Sequence, residues 1–154
     1  MQTKKLAAIF LCLCLIFSVV FITSAAENSA TISFADKANR TVFNTNQQVW
    51  VQNGITITNN KAASTSNVAD YAKPARFYAS SELIVEAEGQ ITEIVFHCNS
   101  GKPAISLGTI EGATVTKDGY VVTVTFEAPV DSFTVAKLSA QVRMDSIDVT
   151  YIPA

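Results

Sequence analysis

From Thr31 onward, apolar and polar positions alternate with a period of two, with Val, Ile, Thr and Phe filling the runs and Gly or Asn interrupting them. Successive side chains of a strand point to opposite faces, so this pattern predicts strands with one buried face; no stretch shows a sustained helical stripe. The clearest unit is Val49-Trp50-Val51-Gln52, then Asn53-Gly54, then Ile55-Thr56-Ile57-Thr58. Asn-Gly favours a two-residue type I′ turn, because both central positions need positive φ. That turn sets Gln52 opposite Ile55, Trp50 opposite Ile57 and Val51 opposite Thr56, which makes Trp50, Ile55 and Ile57 core residues.

Asp118-Gly119 predicts a second hairpin with Lys117 opposite Tyr120. Val115, Val122, Val124 and Phe126 then share one face, and Thr114, Thr116, Thr123 and Thr125 the other, as in an antiparallel sheet with one wet side. A turn around Glu88-Gly89-Gln90 is expected between strands Leu83–Glu86 and Ile91–Cys98. In the second of these, Ile94, Phe96 and Cys98 lie opposite Glu93, Val95 and His97. Short strands are expected over Thr31–Phe34, Ala104–Leu107 and Ser132–Val135. In the last strand, Val142 to Tyr151, the apolar phase slips between Met144 and Ile147, which predicts a β-bulge near Asp145-Ser146. About nine short strands without a helix predict an all-β, antiparallel two-sheet sandwich. Lacking the Cys…Trp…Cys signature of antibody-type domains, it is expected to be jelly-roll-like. Asn59 to Lys73, polar and without periodicity, reads as a loop over one edge or end.

The chain's start adds an address. Residues 6 to 22 carry no charge, follow Lys4 and Lys5, and lead into Thr23-Ser24-Ala25-Ala26. This is the layout of a secretory signal, here 1–26, leaving a single domain at 27–154 and a secreted protein. An uncleaved anchor is the alternative, since about 20 apolar residues can span a bilayer; the small residues at the end of the run favour cleavage and a mature form that does not span the membrane. Lys4 and Lys5 fall in the leader, so 9 of the 11 basic residues face all 13 acidic ones, a formal charge of −4. Such a balance attracts neither nucleic acid nor anionic lipid. Cys12 and Cys14 also belong to the leader. Cys98 is left alone, forms no internal disulfide, and is expected to pack as a small buried hydrophobe in a monomer.

Candidate chemistry is sparse. His97 is the only histidine, and its neighbour Cys98 faces away from it. Glycine-rich phosphate loops, HExxH and CxxC motifs are missing, so no catalytic residues and no cofactor are assigned and the chain is not expected to be an enzyme. Asp36, Asp145 and Asp148 are weak candidates for a structural Ca²⁺ if the first and last strands adjoin; as solvated turn acids they need no metal. The most suggestive group is Asn59, Asn60, Asp70, Tyr71, Arg76 and Tyr78. Sugar recognition uses this mixture, an aromatic ring on the pyranose face and amides, carboxylates or Arg on its hydroxyls. The alternation in Ala75-Arg76-Phe77-Tyr78 buries Phe77 and sends Arg76 and Tyr78 to the other face. In the competing reading, the tyrosines pack against the sheet and Arg76 pairs with an acid to pin the loop.

The block QVWVQNGITITNNKAASTSNVADYAKPARFYASSELIVEA, with ITEIVFHCNS and the closing QVRMDSIDVTY, resembles a small β-sandwich module of large secreted and surface proteins of bacteria. There the module sits beside extracellular nucleases and immunoglobulin-like repeats. The resemblance covers most of residues 31 to 151 and implies no catalytic residues. Two functions follow as expectations. One is a non-catalytic module binding a glycan or other cell-surface ligand. The other is a structural or protein-interaction domain whose partner is another exported or surface protein.

Overall fold

The computed structural model describes residues 26–154; the expected export signal lies outside them, apart from its last residue, Ala26. The described chain is all-β. Its strands are β1 (Asn28–Ser33), β2 (Arg40–Phe43), β3 (Gln47–Gln52), β4 (Ile55–Asn60), β5 (Ala75–Phe77), β6 (Glu82–Cys98), β7 (Ala113–Asp118), β8 (Val121–Val135) and β9 (Val142–Pro153), with one short 3₁₀ turn at Lys37–Asn39. All nine join one antiparallel hydrogen-bonded sheet, curled into a half-barrel. Among the described residues no helix is long and apolar enough to cross a membrane.

The long strand β6 is the spine. Its first half pairs with β4, which continues through β3 to β2, and its second half pairs with β9, which carries β1 and β5 on its far edge. Strand β8 runs along the other edge of β6 throughout and adds β7. The sheet therefore divides into two wings that share one ribbon. The wings close over a single core cluster that includes Trp50, Ile57, Phe77, Leu83, Phe96 and Val149.

The first hairpin forms as its turn chemistry dictates: Asn53 has φ 50° and Gly54 φ 74°, and Gln52 faces Ile55, Trp50 faces Ile57 and Val51 faces Thr56. Trp50 is 1% exposed. Its ring meets Phe34 at 4.7 Å and Phe77 at 6.3 Å between centroids, both from the opposite wing. The bulge in β9 is also present, since His97 pairs with Ser146 and Cys98 with Met144, leaving Asp145 as the extra residue. Cys98 is buried on the face of Ile94 and Phe96.

Several local expectations are corrected. No turn separates residues 83–86 from 91–98, because β6 is continuous across Gly89 and bends there, with register shifts on either side. The second hairpin turns on Gly119-Tyr120, so Lys117 faces Val122 instead of Tyr120. That slip is two residues, and a two-residue slip preserves the faces: Val122 and Val124 are buried while Thr114, Thr116 and Thr125 are exposed. Ala104–Leu107 is not a strand, although Ala104 and Ile105 enter the core. Ser132–Val135 is the end of β8 and not a separate element. Strands β2 and β5 lie in segments where the sequence gives no strand, and Asn59 and Asn60 belong to β4.

Candidate functional site

Of the polar residues singled out in the sequence, the corner where the segment 61–74 returns to β5 on the edge of β9 brings the side chains of Tyr71 and Arg76 into contact, while Asn59, Asn60 and Asp70 bond other partners. The fold uses these last three for its own construction. Asn59 is 1% exposed, and its amide donates to Gln48 Oε1 at 3.3 Å and to the Arg76 carbonyl at 3.2 Å. It thus ties β4 to β3 and β5 from inside the curl. Asn60 accepts from Gln47 Nε2 at 2.9 Å and donates to Glu82 Oε2 at 2.8 Å. Asp70 accepts from Lys37 Nζ at 2.9 Å and from Arg40 Nη1 at 2.6 Å. The Arg40 hydrogen bond first, and then that of Lys37, holds the Asp70 carboxyl below the usual carboxylate range.

Tyr71 and Arg76 form a different arrangement. Tyr71 is 41% exposed, and the Arg76 guanidinium carbon lies 3.4 Å from its ring centroid, a stacked cation–π contact. Arg76 sits on a strand whose flanking residues, Ala75 and Phe77, are fully buried, so its backbone is firmly placed. The expected pairing of Arg76 with an acid is not formed among the described residues, and Asp70 pairs with Lys37 and Arg40. Tyr78 is half-buried beside Arg76, and its carbonyl accepts from the Ser81 hydroxyl at 2.7 Å.

One residue of this corner was missed in the sequence. Arg143 stands directly across from Arg76 in the β5–β9 pair, on the same face. The Nε atoms of both arginines are buried without a hydrogen-bond partner, and among the described residues neither guanidinium has a carboxylate within 4.0 Å. The alternation Val142-Arg143-Met144 does send Arg143 outward. Its proximity to Arg76 depends on a pairing of strands about sixty-five residues apart, which no local pattern carries.

The remaining candidates are dispersed. His97 lies on the outer face of β6, with Nε2 at 2.7 Å from Asp148 Oδ2, while Thr31 Oγ1 donates to Asp148 Oδ1 at 2.7 Å. Asp145 accepts from Asn99, and Asp36 caps the 3₁₀ turn by accepting from the Ala38 amide at 3.0 Å. Strands β1 and β9 do adjoin, yet Asp36, Asp145 and Asp148 each hold separate partners, and among the described residues no group of three His, Cys, Asp or Glu side chains converges on a metal position. Burial pushes the Cys98 thiol pKa up, and its sulfur accepts from the Ile105 amide at 3.4 Å. Surface concavities lie elsewhere, between Ile110, Phe126 and Phe133, between Glu93, Thr125 and Thr150, and between Ile105, Val115 and Val122.

Compared with known protein families, with curated proteins and with solved structures, the chain matches none.

Proposed function

We propose that this chain is a non-catalytic, exported module of the jelly-roll sandwich kind, as found in secreted bacterial proteins, and that it binds a glycan or other cell-surface ligand at the corner formed by Tyr71, Arg76 and Tyr78. The observation that carries the reading is the Tyr71–Arg76 stack. An exposed aromatic ring is held by a guanidinium on a rigid edge strand, and that guanidinium is not consumed by an acid of the protein. A preplaced aromatic face beside unused hydrogen-bond donors suits a pyranose, whose apolar face stacks while its hydroxyls accept. The site is a platform on the sheet edge and lies outside the concavities above, which favours a polymer chain lying across it over a small molecule enclosed by it.

A glycan array probed with the purified protein tests this. Binding to at least one polysaccharide, weakened by Tyr71→Ala with the unfolding midpoint nearly unchanged, is the expected result; no binding to any polysaccharide overturns it. A second reading, docking of another exported protein, is favoured by one specific feature. Phe43 on the edge strand β2 is 45% exposed, and the unpaired backbone groups of that strand can accept an added strand. Phe43→Ser would abolish such docking and leave glycan binding intact.

A further inference from the structure

We infer that the ligand at this corner is anionic: a carboxylate or sulfate group of an acidic polysaccharide, bound between Arg76 and Arg143. This deepens the glycan reading and rests on it. Two like charges placed directly across an antiparallel pair repel one another, and a fold ordinarily relieves this by supplying an acid. Here Asp70 is taken by Lys37 and Arg40, and although Asp145 and Glu82 keep their charge against the neutral amides of Asn99 and Asn60, neither lies within 4.0 Å of either guanidinium. Both guanidiniums are held in place. Arg76 is stacked under Tyr71, and Arg143 lies against Gly101, where a Cβ would come within 2.6 Å of its Nη1. Each Nε is buried and unpartnered, and neither guanidinium has a carboxylate within 4.0 Å among the described residues. A planar guanidinium fork matches an anion with two or more oxygens, and charge-assisted bonds of this kind are roughly twice as strong as neutral ones. Outside the leader the chain carries a formal charge of −4, so a polyanion is not drawn to the surface at large and its binding has to be local.

The test measures retention of the purified protein, at about physiological ionic strength, on polygalacturonate, on dextran sulfate, and on the neutral polymers dextran, galactan and xylan. Retention on an anionic polymer is expected, and the stronger of the two identifies the group as carboxylate or sulfate. Arg76→Gln and Arg143→Gln should each weaken it by about tenfold or more. Arg143→Lys keeps the charge and the stem but loses the fork, so it should fall between; this variant decides the matter if a Gln variant fails to fold. Retention on a neutral polymer alone overturns the anionic assignment and leaves glycan binding standing. Retention on none overturns both. Anionic binding that survives all three substitutions places the ligand elsewhere and overturns the site.

Discussion

Trp50 is the residue on which the two wings meet. It is 1% exposed and touches Phe34 and Phe77 across the core, so Trp50→Ala removes the centre of an aromatic cluster and should cost about 3–5 kcal/mol, seen as a large drop in the unfolding midpoint. Tyr71→Ala, which removes only an exposed cation–π contact, should cost about 0.5–1 kcal/mol. Asp70 offers a pH test. Its folded pKa is depressed by Arg40 and Lys37, so the stability it contributes is present above the unfolded carboxylate pKa and is lost as pH falls through the lower, folded value. The wild type should therefore melt above Asp70→Asn at pH 7, and that gap should narrow as pH falls below the ordinary carboxylate range of about 4; a gap that does not narrow with falling pH would mean the ion pairs are not its source. At this scale the sequence was informative wherever a side chain's role follows from its own strand, as for Trp50 and Cys98. It was silent on Arg143 and on the Lys37 and Arg40 partners of Asp70, because those contacts join elements far apart in the chain.

Elements were legible to the extent that turns are local. Asn53-Gly54 fixed its hairpin to the residue. Asp118-Gly119 admitted two closely related turns, and the one formed places Gly119 first in the loop, with φ 58°. Gly89 misled because glycine marks both turns and points of close backbone approach, and only the second applies here. An added Cβ would lie 2.0 Å from the Ile152 carbonyl oxygen, at a φ of 152°, so this glycine allows β9 to press against the bend of β6. Gly89→Ala should accordingly destabilise more than Gly119→Ala, which meets nothing within 4 Å and incurs only the backbone cost of about 1–2 kcal/mol. Urea unfolding of the two variants against wild type checks the order, and equal midpoints would show that the bend tolerates a side chain. The same bend decides the curl, since it is where β4 leaves β6 and β9 takes over.

The whole molecule inherits a cooperative construction from that arrangement. A protein of two separately hydrogen-bonded sheets could loosen one from the other, but here β6 and β8 each run through both wings, and separating the wings means breaking strands midway. The aromatic cluster acts in the same direction, joining Trp50 on β3 to Phe77 on β5 across the core. Opening either wing would expose apolar surface belonging to both, so partial unfolding gains little entropy for a large loss of burial. The protein carries two natural reporters of this coupling, the single Trp50 in the β3–β4 wing and Cys98, the one cysteine among the described residues, where β6 meets β9. In urea, the change in Trp50 emission and the onset of Cys98 reactivity toward a thiol reagent should share one midpoint, as a two-state unit requires. Native Cys98 should stay inert at pH 8, since burial raises its pKa and shields it. A ligand bound at the β5–β9 corner should then move both midpoints together, by about 2.7 kcal/mol at a hundredfold excess over its Kd, although Trp50 lies on a strand that does not pair with either of them. If Trp50 responded at lower urea than Cys98, the wings would be separable and stabilisation by ligand would be confined to the β9 side.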